Sequence, residues 1–374
     1  MEAFLFLSAL TVRKTVLVLM RKILKLNLLA LLAVNLLLVA FCARASGPVV
    51  YIVNGSTASV TEFSDFASLF YDRIDYDGVY GTSPYCGATM LTTQYVLTAA
   101  HCIFDGNGNA DENKMLFLSV VPQLQNESDF PNGSIERVMA SEFYYRSDYS
   151  DSSSDLWAND IAIVKLESAV NIDAVNDVIT RPTAANVTIY QVNTETFEAI
   201  GHGNTSTGYD GSDSLLKTDL TYVDTATCQS GIGYSAVTSS QICFTGSYNN
   251  ANGLYNSTCS GDSGGPVYWD NSGTWVQVGI TSFGPSTCGT QATNSGVTSV
   301  FTEIYDYETW IQDVLDGNET ANYVATDAKR TAYLSSTSTS SSGGDSGGSF
   351  GWLSLFALFT LALLRKHTEM GEAA

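Results

Sequence analysis

His101, Asp160 and Ser263 are residues of the three types that together can make an acylating nucleophile. A serine hydroxyl attacks poorly until a neighbouring base takes its proton. Imidazole titrates near neutrality, so it can accept that proton and later hand it to a leaving group. A buried carboxylate can fix the imidazole tautomer and stabilise the imidazolium. The chain has three histidines. His367 lies near the C-terminus, and His202, between Gly201 and Gly203, has no carboxylate close in sequence and reads as a loop residue. His101 is then the base. Ser263 sits within Cys259-Ser260-Gly261-Asp262-Ser263-Gly264-Gly265-Pro266, whose glycines permit a tight loop and close backbone approach. The Gly261 and Ser263 amides can serve as an oxyanion donor pair, each such donor being worth roughly 3–4 kcal/mol in the transition state.

These residues need elements to hold them. His101 closes the run Leu97-Thr98-Ala99-Ala100-His101-Cys102 at the end of a strand. Asp160 opens the strand Asp160-Ile161-Ala162-Ile163. Between Ile52 and about Asp316, short β runs alternate with Gly, Asn, Asp and Ser. Examples are Tyr95–Thr98, Ile161–Val164, Thr196–Ile200 and Trp275–Ile280. Many short strands with frequent turns predict a barrel or sandwich. One helix is expected, over Glu303–Leu315, where Ile304, Tyr307, Ile311 and Leu315 recur at helical spacing.

Charge narrows the partners. The 374 residues carry 17 Lys+Arg against 38 Asp+Glu, a formal net charge of -21. The middle is more acidic than that, since residues 46–318 hold 7 basic and 32 acidic side chains. Such a surface repels nucleic acid and anionic membranes. The ends differ in kind. Residues 1–45 read as a secretory signal: a basic stretch at Met20-Arg21-Lys22 and Lys25, an apolar run from Leu26 to Phe41, and a small-x-small site at Ala43-Arg44-Ala45. Met20 is a more typical start than Met1. Past residue 45 six of the seven cysteines remain. An even number in an exported chain reads as three disulfides of open connectivity, and the absence of Cys-x-x-Cys spacing weighs against zinc. Residues 318–346 lose hydrophobic pattern and become Ser/Thr/Gly-rich, as a flexible linker does. Phe350–Leu364 is an apolar segment followed by Arg365-Lys366-His367, short for a permanent membrane span.

Four motifs in order, Ile52-Val53-Asn54-Gly55, Thr98-Ala99-Ala100-His101-Cys102, Asp160-Ile161-Ala162-Ile163 and Gly261-Asp262-Ser263-Gly264-Gly265-Pro266, resemble the chymotrypsin/trypsin-like serine proteases. The resemblance covers residues 52–317. It implies an all-β fold of two six-stranded antiparallel β-barrels, about 52–170 and 171–300, with a C-terminal helix and the triad His101, Asp160 and Ser263 in the cleft between them. It implies the disulfides Cys86–Cys102, Cys228–Cys243 and Cys259–Cys288. A fourth disulfide common in the family is replaced at both ends, by Phe197 and Trp269.

The resemblance also assigns activation and specificity. Residues 46–51 would be a short propeptide, and the α-amino group freed at Ile52 would pair with Asp262. Tyr51 stands where a basic residue is usual before the cut, which disfavours a trypsin-like activator and suggests autoactivation. The substrate pocket would have Ser257 as its floor, Ser282, Phe283 and Gly284 as a wall that pairs with substrate, and Ser299 as a further wall limiting depth. Serine at the floor implies an uncharged pocket for an apolar or aromatic P1 residue. No cofactor is implied. Asp105, Asn107, Asn109 and Asp111 alternate as calcium ligands do, while a polar surface turn accounts for the same residues.

Residues 347–374, with Gly347-Gly348-Ser349 before the apolar segment and its basic cluster, resemble the GlyGly-CTERM sorting tails of Gram-negative bacteria. Those imply type II export machinery and a rhomboid-type sorting protease as partners, and a surface-attached or released enzyme. The sequence therefore reads as an exported, monomeric serine endopeptidase acting on proteins or peptides through an acyl-enzyme. The alternative is a catalytically inactive, protease-like surface binding module.

Overall fold

The computed structural model describes residues 52–192 and 195–340. The signal-like segment, residues 46–51 and the tail from 347 lie outside these residues, as does the apolar run 350–364. Among the described residues no helix is long and apolar enough to cross a membrane.

The first barrel is built from β1 (Phe66–Arg73), β2 (Cys86–Met90), β3 (Tyr95–Thr98), β4 (Leu118–Pro122), β5 (Val138–Tyr145) and β6 (Ala162–Leu166). All neighbours are antiparallel, in the ring order β1-β2-β3-β6-β5-β4, and β4 returns to β1. The second barrel contains β7 (Phe197–Gly201), β8 (Leu216–Val223), β9 (Gln241–Gly246), β10 (Pro266–Asp270), β11 (Trp275–Phe283) and β12 (Ser299–Glu303). Its ring runs β7-β8-β9-β12-β11-β10, and β10 closes onto β7. The expected pair of six-stranded barrels is thus present. Closure leaves no free edge within either ring, and side chains alternate between core and surface. In β8, for example, Leu216, Thr218 and Leu220 are buried while Asp219 and Thr221 are exposed.

The second barrel closes on aromatics. Phe197 pairs with Trp269 across β7 and β10, and both side chains are buried. The two therefore occupy facing positions, as expected of a packed replacement for a disulfide. Three disulfides join Cys86 to Cys102, Cys228 to Cys243 and Cys259 to Cys288.

The C-terminal helix expected at Glu303–Leu315 is shorter. Glu303 ends β12, a 3-10 turn covers Ile304–Tyr307, and α1 spans Glu308–Leu315. Ile304, Tyr307, Trp310, Ile311 and Val314 bury into the core of the first barrel, so the last element of one barrel's sequence seals the other.

A linker from residue 318 is not what the structure has. β13 (Tyr323–Val324) adds to β5, and α2 (Asp327–Ser340) follows. The cause is Arg330, whose side chain is fully buried although the segment around it is polar. Its Nε donates to the Leu116 carbonyl and its Nη2 to the Ala140 carbonyl, both at 2.6 Å, and Nη1 reaches Glu167 and Asp327. A guanidinium supplies five donors in a rigid fork, so this residue clamps a segment that also packs Tyr323, Ala325, Tyr333 and Leu334 against the first barrel's core.

Candidate active site

His101 lies in the 3-10 turn Ala100–Ile103 that follows β3, and Cys102 of that turn is bonded to Cys86 at the start of β2. Asp160 immediately precedes β6. Because β3 and β6 pair directly, from Tyr95↔Lys165 to Thr98↔Ala162, the ladder brings the end of one strand to the beginning of the other. His101 Nδ1 is 2.7 Å from Asp160 Oδ2, and the His101 backbone amide donates to Asp160 Oδ1 at 2.9 Å. Asp160 is fully buried. The Ser282 hydroxyl also donates to its Oδ2 at 2.6 Å, while Thr302 Oγ1 donates to its main-chain carbonyl at 2.8 Å. Both barrels therefore grip the same carboxylate. Burial pulls the His101 pKa down, but the charge and hydrogen bond of Asp160 outweigh it, and the imidazole titrates above its ordinary value. With Nδ1 committed to Asp160, Nε2 is the nitrogen left to face a reacting group.

Ser263 lines the same cleft as His101, a cavity of about 320 Å³. Its loop is fixed by main chain on both sides. Gly264 donates to the Thr281 carbonyl at 2.9 Å, Thr281 donates to the Gly265 carbonyl at 2.8 Å, and the Gly87 amide of the first barrel donates to the Ser263 carbonyl at 2.8 Å. The glycines here have steric causes. Gly261 has φ of +103°, and a Cβ on it would meet the Gly203 Cα at 2.8 Å. A Cβ on Gly264 would lie 2.2 Å from Thr98 Oγ1.

Asp262 points away from the cleft into protein. Its oxygens accept from the Gly203 amide and the Cys259 amide, each at 2.8 Å. Burial pushes this carboxyl up to about 7 because those two amides only partly offset desolvation. Ile52 and Val53 are completely buried, and Val53 bridges to Ser257.

The specificity residues divide. Ser282, Phe283 and Gly284 line the cleft. Ser257 and Ser299 do not. Ser257 is fully buried and its hydroxyl accepts from the Gly289 amide at 2.9 Å. Thr258 lines the cleft instead. Ser299 stands behind it, with its Oγ 3.0 Å from both the Thr258 amide and the Thr258 hydroxyl. Ser257 therefore lies beneath the surface, beside a Thr258 that is bonded to Ser299. Trp157 was not singled out from the sequence and also lines the cleft, its ring 5.3 Å from that of Phe283. An isolated tryptophan in a Ser/Asp-rich loop three residues before Asp160 was the available signal.

Residues 105–111 form a polar turn. The Asp105 carboxylate already accepts from the Asn107 amide, the Asn109 amide and the Asn109 side chain. Asp111 caps the short helix Glu112–Leu116 through the Lys114 amide. The Asp105 and Asp111 carboxylates thus accept from donors of their own segment, as in a polar turn.

Two closed barrels meeting at a histidine, a buried aspartate and a glycine-framed serine define a chymotrypsin-like serine endopeptidase, a class that works without a cofactor. Comparison with known proteins carries this to a family. The family model described as Trypsin matches residues 52–311, and the chain belongs to that family. It is 28% identical over 272 residues to CLIP domain-containing serine protease B4 of Anopheles gambiae, covering 70% of this chain and 69% of that protein. It is 31% identical over 221 residues to a trypsin-like protease of Streptomyces glaucescens, covering 59% of this chain and 70% of that protein. It is 28% identical over 237 residues to chymotrypsin-like elastase family member 1 of Felis catus, covering 62% and 79%. The chain spans 65% and 64% of the length of two further insect relatives.

Proposed function

We propose that this is an exported serine endopeptidase that cleaves proteins or peptides through an acyl-enzyme, with Ser263 as nucleophile, His101 as base and Asp160 as the group that orients it. The observation that carries the reading is the fully buried Asp160 bonded to His101 Nδ1. Ser263 Oγ attacks the scissile carbonyl as His101 Nε2 takes its proton. The amides of Gly261 and Ser263 donate to the oxyanion that forms. Collapse of the tetrahedral adduct breaks the C–N bond, and His101 returns the proton to the departing amine. Water, deprotonated by the same imidazole, then releases the acyl group.

Activation by a cut between Tyr51 and Ile52 fits the state of Asp262. A buried carboxyl held by only two amides gains most from a cation, and the new ammonium of Ile52 supplies one. The P1 residue is apolar, and the Thr258–Ser299 pair limits its length. Three disulfides suit an oxidising compartment. Export by a type II route, trimming by a rhomboid-type sorting protease and surface attachment rest on residues 1–45 and 347–374. A fluorophosphonate probe tests the whole reading: it labels the processed enzyme and not Ser263→Ala. Absence of labelling on folded, processed protein would mean a non-catalytic binding module.

A further inference from the structure

Asn54 is the third residue of the chain that a cut after Tyr51 leaves, and its side chain is held from three directions. Its Nδ2 donates to the Leu254 carbonyl at 2.9 Å, and its Oδ1 accepts from Asn252 Nδ2 at 2.7 Å and from Asn249 Nδ2 at 3.3 Å. All three partners belong to one hairpin, in which Tyr248–Asn249 pairs antiparallel with Leu254–Tyr255. The hairpin aims its own donors. Asn249 Oδ1 accepts from the Ala251 amide at 2.9 Å, and Asn252 Oδ1 accepts from the Leu254 amide at 3.1 Å. In each side chain the oxygen is thus taken within the turn, which turns Nδ2 outward.

The main chain beside Asn54 is equally particular. Asn54 has φ of +64°, a region that asparagine enters more readily than most residues with a side chain. Ile52 has φ of +35°, which a β-branched residue resists. The first residue of a chain has no φ torsion, so a cut before Ile52 removes that resistance. Val53 is wedged between the hairpin and the pocket. It bridges to Ser257, and a Cβ on Gly289 would meet Val53 Cγ1 at 2.7 Å and Leu254 Cβ at 2.9 Å. Cys288, next to Gly289, is bonded to Cys259 of the nucleophile loop. The slot that takes residues 52–54 is therefore walled by the hairpin and by the neighbour of the serine loop's disulfide.

We propose that Asn54 is a positioning residue, and that its clasp by Asn249, Asn252 and the Leu254 carbonyl holds the cut N-terminus in its slot so that Ile52 stays paired with Asp262. This rests on the activation reading above. The ammonium of Ile52 must give up water to meet a carboxyl as buried as Asp262. The clasp is a second fastening on the same short segment, and it favours insertion over release without touching the reacting atoms. Residues 246–258 carry no acid, no lysine or arginine and no histidine, so the clasp holds equally across the working pH range. The pH dependence falls on the ammonium and on Asp262. Glu127 is a further acid that feels the charge of Asp262, and burial keeps the nearby His202 neutral, with a pKa of about 4. An ammonium that inserts only when charged titrates above its free value of about 8. Insertion is therefore complete below about 8 and is lost as pH rises through the raised value.

The experiment compares processed wild type with Asn252→Asp and Asn54→Gly. Asn252 is exposed, and the isosteric change replaces the donor facing Asn54 Oδ1 by an acceptor. Asn54→Gly tolerates the positive φ and removes the clasped side chain. Two quantities are measured: the pH profile of kcat/KM, and the rate at which formaldehyde and cyanoborohydride methylate the Ile52 α-amino group, read by mass spectrometry of the N-terminal peptide. Each variant is expected to lower the insertion constant about tenfold, which moves the alkaline limb down by about one pH unit and speeds methylation about tenfold. A merely structural loss lowers Tm and leaves the limb in place. The carboxylate added by Asn252→Asp would attract the ammonium and move the limb up, so charge alone cannot mimic the expected shift. An alkaline limb and a methylation rate within about twofold of wild type, in a folded variant of either kind, overturn the proposal. An active wild type whose Ile52 amine is methylated as fast as that of a free peptide refutes the activation reading itself, and the clasp falls with it.

Discussion

Ser299→Gly is the substitution that most directly interrogates the depth of the specificity pocket. Ser299 is fully buried and its Oγ meets both the amide and the hydroxyl of Thr258 at 3.0 Å. Removing the hydroxymethyl group frees Thr258 to move and opens a space of about one methylene and one oxygen toward Ser257. A change of one methylene in an apolar pocket is worth roughly 1–3 kcal/mol, or about 10–200-fold in discrimination. The Thr258 side chain is still present and still occupies part of that space, so the lower end applies: the ratio of kcat/KM for P1 Phe over P1 Val rises about tenfold. Stability falls at the same time, because the Thr258 amide loses a buried acceptor worth about 1–3 kcal/mol. The assay compares peptides identical except for Ala, Val, Leu, Phe or Tyr at P1, on wild type and on variant shown to be folded by thermal melting. A Phe/Val ratio within twofold of wild type would refute the claim that the Thr258–Ser299 pair forms the floor.

The remaining expectations follow from the imidazole and from the C-terminal strap. Protonated His101 cannot accept the serine proton, and Asp160 raises its pKa. The acid limb of kcat/KM for wild type should therefore lie above pH 6.5, with activity lost as pH falls through it. Asp160→Asn should shift that limb to lower pH while lowering kcat by about 10⁴, and a limb that stays put would count against Asp160 as the cause. Arg330→Met should lower Tm by several degrees, since the Leu116 and Ala140 carbonyls lose buried donors at about 1–3 kcal/mol each. An unchanged Tm, shared by a chain ending at residue 318, would show that β13 and α2 contribute nothing to the folded body.

The parts of this molecule legible in the sequence share a physical property: their chemistry is local. Gly261 and Gly264 are required because an added Cβ would meet Gly203 Cα at 2.8 Å and Thr98 Oγ1 at 2.2 Å, and both stand in a short string around Ser263. The pairing of β3 with β6 that joins His101 to Asp160 is long in sequence, yet each residue sits at a strand end with its own recognisable flank. What escaped reading depends on partners that leave no local trace. Ser257 stands six residues before the nucleophile, but Thr258 beside it is bonded to Ser299, 41 residues further on, a contact that no local string carries. Arg330 sits in a stretch without apolar periodicity, and nothing beside it announces that the Leu116 and Ala140 carbonyls wait for its guanidinium. His202 read as a loop residue because no carboxylate is near it in the chain. Glu127 is its neighbour in space across 75 positions, both side chains buried with Oε1 3.7 Å from Nδ1, and no short string of sequence carries that pairing.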